Sequence, residues 1–297
     1  MSIDLSISTY SLLKWRLANK KTMQDTVDWI AKTGVKKIEL TGVADTATGN
    51  TLKQAALMRK HCTKRKLKVA SYCTGAELLL SPAKLKEAVA TLKEQVQVAA
   101  TLGAPSMRHD VTGGFERGYA RFKGAKTFTQ ALKIVVPAIR EVADYAQTLG
   151  VKTSLENHGF FMQAPGRVTQ LIDTVNHPNF GLTMDMGNFL CVDADPVDAV
   201  KQCVKYAQMV HIKDFHQKLK KQMPPIGWFA TPTRYALRGS ILGHGIIDLP
   251  AQLKLLKRAK YSGVLSLEYE GIEEPAFGVQ TGLDYLRGEL EKLGMLA

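Results

Sequence analysis

The chain has 297 residues, of which 45% are hydrophobic and 23% charged, with 24 Gly and 11 Pro. These are globular proportions; they exclude collagen, long disorder and a coiled coil, and no apolar run reaches the roughly 18 residues a membrane span needs. The formal net charge of +13 favours anionic partners such as phosphorylated sugars or nucleic acid, although much of it sits in helix-spaced lysines around 60–68 and 253–260 that read as solvated helix faces.

Short β-like runs fall at 3–8, 36–40, 67–72, 105–109, 151–156, 179–185, 207–213 and 263–268. Helical spacing fills the intervals, over 22–33, 51–65, 82–102, 127–149, 167–176, 196–204 and 249–260, and closes the chain over 279–293. Ser81-Pro82 and Asp195-Pro196 are helix-start signals. Gly34, Gly103, Gly150 and Gly263 follow helices and are read as left-handed caps before the next strand. Eight βα units in order predict a single (β/α)₈ TIM barrel over residues 1–297.

Two long loops interrupt the rhythm, 110–126 after the fourth strand and 214–247 after the seventh. Loops that follow barrel strands lie on the face where active sites sit, so both are expected there. Trp228, Phe229 and Tyr235 make the second a packed lid rather than a solvated excursion. Cys62, Cys73, Cys191 and Cys203 have neither CxxC nor zinc-finger spacing and read as reduced core thiols. With no secretory pattern at the N-terminus, a cytoplasmic protein is expected.

The informative residues end strands five to eight. Parity places Glu156 opposite the apolar Val151, Thr153 and Leu155, and Asp185 opposite Phe180, Leu182 and Met184. It likewise opposes His211 to Val210 and Ile212, and Glu268 to Leu265 and Leu267. The apolar faces pack on the helices, so all four polar side chains point into the barrel mouth at one end. Their intervals of 29, 26 and 57 residues match one unit, one unit, and one unit plus the long loop. Three carboxylates and an imidazole buried together carry a large desolvation cost that a divalent cation removes. This donor set predicts one ion per chain, with Mn²⁺ first and Mg²⁺, Co²⁺ or Zn²⁺ as alternatives.

The segments Ser-Leu-Glu156-Asn157-His158-Gly159, Met-Asp185-Met-Gly187-Asn188, Val-His211-Ile-Lys213-Asp214, Leu242-Gly243-His244-Gly245 and Ser-Leu-Glu268 together resemble the sugar phosphate isomerase/epimerase family of xylose isomerase-like barrels. The resemblance spans essentially the whole chain. It implies that Glu156, Asp185, His211 and Glu268 are metal ligands and that Glu156 and Glu268 also move a proton next to a substrate carbonyl. An enediolate is then the intermediate, and a carbohydrate the substrate. In ketose 3-epimerases of this kind a His stands three positions after the metal Asp and an Arg six after the metal His, whereas here these are Asn188 and Gln217. The substrate-binding candidates are therefore His158, Asn188, Lys213, His216, Arg238 and His109, with His244 a further histidine near the lid. Arg108, Glu39 and Glu270 are expected near the substrate, Glu270 as a support for the ligands. For Lys213, pairing with a buried carboxylate is as open as binding a substrate oxygen.

Elimination from a keto-sugar or keto-inositol is the second reaction such a site could run, because only the fate of the carbanion differs. A nucleic-acid enzyme of the endonuclease IV type is a remote third, since strands one to three supply no histidine ligand and no basic groove interleaved with aromatics appears. No Rossmann or P-loop pattern is present; the glycine-flanked stretch 42–49 lacks the Lys-Ser/Thr ending. The resemblance adds an expected homo-oligomer.

Overall fold

A computed structural model describes residues 2–43, 51–114 and 125–296. The first seven strands are β1 (Asp4–Ser8), β2 (Lys37–Leu40), β3 (Lys68–Thr74), β4 (Ser106–His109), β5 (Lys152–Glu156), β6 (Phe180–Asp185) and β7 (Ala207–Ile212). Three lid strands follow, β8 (Asp214–Leu219), β9 (Phe229–Ala230) and β10 (Tyr235–Ser240), and then the last barrel strand, β11 (Val264–Leu267). The barrel closes in the order β1-β11-β7-β6-β5-β4-β3-β2, all parallel, which is the (β/α)₈ architecture. Around it run α1 (Leu13–Ala18), α2 (Met23–Lys32), α3 (Thr51–Lys64), α4 (Pro82–Leu102), α5 (Phe128–Thr148), α6 (Pro165–Val175), α7 (Pro196–Cys203), α8 (Leu249–Arg258) and α9 (Pro275–Lys292).

Local chemistry explains these boundaries. A parallel strand is covered on both sides, and every residue of β6 is buried. Helix α5 begins with a capping box, Thr127 and Gln130 each holding the other's backbone N–H, and turns Val135, Ile139, Val142 and Ala146 toward the barrel. At α7 the Asp195 side chain accepts from the N–H groups of Val197 and Asp198, with Pro196 in the first turn. Gly34, Gly103 and Gly150 take positive φ. Gly263 does not: the left-handed position after α8 is held by Lys260, three residues earlier. α1 lies in a stretch where no helix was expected, and α9 starts at Pro275 rather than 279 because Glu274 caps it, accepting from the Phe277 N–H.

The main apolar core lies between the barrel wall and the helices. The barrel interior is instead lined by small hydroxyl groups: Ser6, Ser8, Ser71, Ser154, Thr183 and Ser266 are all buried. Ser154 and Thr183 meet at 2.8 Å between neighbouring strands. Bulky aliphatic side chains usually fill this space, so the small ones leave room for polar groups above them.

The loop after β7 is a packed lid, as its aromatic residues led one to expect. β8, β10 and β9 form an antiparallel sheet with Arg238 opposite His216. Phe229 meets Phe215 edge-on at 6.1 Å, and Arg238 lies 5.9 Å from the Trp228 ring centre. Asp214 fastens the far end of the lid to its start: its carboxylate accepts from the backbone N–H groups of Phe215, Gly243, Gly245 and Ile247 at 2.8–3.1 Å. Gly243, at φ +88°, supplies the turn. Of the loop after β4, residues 115–124 lie outside the described residues, as does most of 42–49. The lysines of the basic segments 60–68 and 253–260 are exposed, and among the described residues no helix is long and apolar enough to cross a membrane. All four cysteines are free and buried.

Candidate metal centre

Strands β5, β6, β7 and β11 deliver Glu156, Asp185, His211 and Glu268 to one point. One donor atom from each can be chosen so that all four lie within 4.8 Å of one another, and all four residues are buried. The lateral register makes this possible, since Asp185 pairs with His211 across β6 and β7. The segment after β6 then shapes Asp185. Its Oδ1 accepts from the N–H groups of Gly187 and Asn188, both at 2.8 Å, which leaves Oδ2 turned toward the cluster. Asn157 bonds both backbone groups of Asp185, also at 2.8 Å, and locks strand end to strand end.

The first half of the barrel supplies the restraints. Glu39 on β2 lies 2.9 Å from His211 Nε2, and Cys73 and Ser266 donate to its two oxygens at 3.1 and 3.0 Å. Held in this way, the imidazole turns Nδ1 inward, 3.4 Å from oxygens of both Glu156 and Glu268. Nδ1 is buried and has no hydrogen-bond partner. A buried imidazole nitrogen facing carboxylate oxygens, with its other nitrogen fixed by a carboxylate, is a donor arrangement that could hold a divalent cation. Arg108 on β4 completes the frame, with Nε 2.9 Å from Glu156 Oε2, while Asn188 donates to Glu156 Oε1 at 3.1 Å.

The charges follow from this geometry. Burial works against ionised Glu156, but Arg108 and His211 hold its pKa well below the usual carboxylate value. Burial pushes Asp185 up to about 6; Lys213 opposes this, and the neighbouring Glu156 and Glu268 add to it. Burial disfavours a charged His211, yet Glu39, Glu268 and Glu156 outweigh it and raise its pKa well above the imidazole value.

Lys213 sits where β7 passes into the lid. Its ammonium lies 2.9 Å from Asp185, 2.8 Å from Glu268 and 3.1 Å from Glu270, so of the two open readings carboxylate pairing is the one the contacts display. The close pass of its stem explains Gly187, where a Cβ would come within 2.7 Å of Lys213 Cγ. His158 is half exposed and meets Asp110 at 3.3 Å, and that contact raises its pKa. His158 and Asn188 both line the cleft beside the cluster. His216, Arg238 and His244 are not among the residues lining the cleft. The first two face each other on the lid sheet, Arg238 bonding Glu273 at 3.1 Å, and His244 is exposed. His109 is not brought to the cleft either. Strand parity turns it opposite to Arg108, so it is fully buried against Phe180, with Nδ1 bonded to its neighbour's backbone carbonyl. Glu39 lies under the imidazole and is not among the residues lining the cleft. Cys73 and Tyr10, which also line the site, carried no local sequence signal beyond inward parity for Cys73, and Asn157, which braces Asp185, stood in the segment that carries the resemblance without a role assigned to it.

The xylose isomerase-like TIM barrel family matches residues 27–289, and the chain belongs to it. It is similar to the inosose isomerase of Bacillus subtilis, 31% identical over 144 residues, a match covering 46% of each chain. It is also similar to the L-ribulose-5-phosphate 3-epimerase of Salmonella typhi, 24% identical over 161 residues, covering 53% of this chain and 51% of that one. The chain thus spans about half the length of the curated relatives it matches. Among solved structures, the IOLI protein with a bound zinc atom superposes with a TM-score of 0.71 at 20% identity, covering 98% of this chain and 99% of that one, which shows the shared fold.

Proposed function

We propose that this member of the xylose isomerase-like barrels is a divalent-metal-dependent isomerase or epimerase of a sugar or sugar derivative. The observation that carries the reading is the orphaned His211 Nδ1 among three buried carboxylates. The names of the inosose isomerase and ribulose-phosphate epimerase relatives point the same way. Glu156, Asp185, His211 and Glu268 are the proposed ligands, and a donor set of three oxygens and one imidazole nitrogen suits Mn²⁺, with Mg²⁺, Co²⁺ and Zn²⁺ as competitors. A cation held there polarises a substrate carbonyl.

The protein's own groups do the rest. Glu156 is fixed by Arg108 and Asn188, and Glu268 stands beside Lys213, so both carboxylates have set positions. One removes the proton from the carbon next to the carbonyl and the other returns it. Return to the neighbouring carbon isomerises; return to the opposite side of the same carbon epimerises. Burial disfavours the Lys213 ammonium, but Asp185, Glu268 and Glu270 keep it charged, so it holds Asp185 and Glu268 in place beside the reacting carbon. His158 and Asn188 bind substrate hydroxyls from the cleft wall.

Incubating metal-loaded protein with a keto-sugar panel in D₂O tests this. Deuterium should enter the carbon next to the carbonyl, with the product isomeric with its substrate. Glu156→Gln and Glu268→Gln should each lower turnover by about 10²–10⁴-fold while the circular dichroism spectrum is retained. Loss of water or of an aglycone as the main outcome would replace isomerisation by elimination. Unchanged turnover in either variant would remove the two-carboxylate mechanism.

A further inference from the structure

The site has a second compartment. The inner one, about 330 Å³, is lined by Arg108, Glu156, Lys213 and Glu268, two of which belong to the cluster described above. An outer one of about 910 Å³ shares Tyr10, Gly75, His158 and Glu270 with it, so the two are adjacent parts of one cleft. Ligand pockets run from about 300 to 1,000 Å³, so the inner space has the size for a small ligand and the outer one adds room near the top of that range.

Two features of the outer compartment define its chemistry. First, its far wall is apolar. Phe160, Cys191 and Phe229 face it, and all three belong to a second apolar cluster, with Phe215 and Leu237, that is separate from the main core. Phe160 is held there in a left-handed conformation, φ +65°, which an aromatic residue adopts at a cost. Gln163 enforces it, accepting from the Phe160 N–H and donating to the Asn188 carbonyl, each at 2.6 Å. Second, the ionisable groups around it are mostly acidic: Glu77, Asp110 and Glu270, with His158 the one basic side chain among its lining residues. Each basic side chain lining the two compartments already faces a carboxylate, Arg108 and Lys213 at 2.8–3.1 Å and His158 at 3.3 Å, so among the described residues little positive charge is left for a phosphate dianion.

We infer that the substrate is an unphosphorylated sugar bearing an apolar, ring-sized substituent, with its sugar portion in the inner compartment and its substituent against Phe160 and Phe229. The inference rests on the isomerase reading for the location of the sugar and extends it to the rest of the molecule.

Isothermal titration of metal-loaded protein with phenyl β-D-glucopyranoside, methyl β-D-glucopyranoside and glucose 6-phosphate is the test. The phenyl glycoside should bind about tenfold or more tighter than the methyl glycoside, and glucose 6-phosphate no tighter than the methyl glycoside. Phe229→Ala should bring the phenyl preference below about threefold and leave methyl glycoside and metal binding unchanged. Phe160→Gly, which accepts the positive φ without strain, should do the same and guards against misfolding of the lid variant. Equal binding of phenyl and methyl glycosides, no phenyl glycoside binding, or tightest binding of glucose 6-phosphate overturns the inference. The two readings fail separately. Deuterium exchange with no phenyl preference sinks the substituent alone; a phenyl preference without metal binding or exchange sinks the isomerase alone.

Discussion

The two halves of the barrel contribute opposite things to one site. Strands β5, β6, β7 and β11 present the atoms that face inward, Glu156, Asp185, His211 and Glu268. Strands β2, β3 and β4 present none of these four; they contribute Glu39 and Arg108, which grip the other half, and Cys73, which holds Glu39. The difference teaches that a set of donors is not yet a site. His211 could turn either nitrogen inward, and Glu39, itself held by Cys73 and Ser266, selects Nδ1. Glu156 could swing toward any neighbouring cation, and Arg108 with Asn188 fixes it.

Removing a restraint should therefore hurt in proportion to its burial. The largest stability effect is expected from Arg108→Leu, which leaves Glu156 buried without its counter-charge. Metal-free unfolding in urea should show a loss of about 3 kcal/mol or more, and a loss below 1 kcal/mol would mean that the first half of the barrel is not holding Glu156. Next is Glu39→Gln, which keeps the shape but weakens the hold on the imidazole. Divalent metal should bind about 10–100-fold more weakly, with the folded spectrum retained; unchanged affinity would show that His211 needs no support from β2.

The smallest effect is expected at the outer rim of the same half, where Asp28 joins His61 of α3 and Arg65 just beyond it at the protein surface. Burial opposes ionised Asp28, but Arg65 and His61 bring its pKa below the ordinary 3.8. A lowered folded-state pKa stabilises above the unfolded value and is lost as pH falls through the folded one. Asp28→Asn should thus cost at most about 1 kcal/mol at pH 7, and less below pH ~4. A cost matching that of Arg108→Leu would show that charge pairing, rather than burial, sets the scale.

The same division explains what could be read from the sequence. Each residue of the inward set stands at or next to the C-terminal end of its own strand, and period-two parity with regular spacing brings them into phase without any knowledge of contacts. The eight-fold alternation and the packed lid were legible for the same reason, being local patterns of spacing and composition. Glu39 is joined to its partners across the barrel: Glu39 and His211 stand 172 residues apart, and Ser266 and Glu39 stand 227 apart. No local pattern encodes such pairs, so Glu39 was expected near the substrate and Cys73 was read as a core thiol. His109 shows a related limit, since strand-end position suggested the cleft while its parity turned it into the helix layer. His216 and Arg238 could not be placed without knowing that the lid folds into a sheet with its own register.

Titrating metal-free protein with Mn²⁺ and counting bound ions per chain, alongside Asp185→Asn and the double variant Glu156→Gln/Glu268→Gln, tests the shared-cation centre most directly. One ion per chain should bind to the unaltered protein, with affinity reduced at least tenfold by Asp185→Asn and abolished in the double variant. Stoichiometric binding that survives both substitutions unchanged would contradict the account.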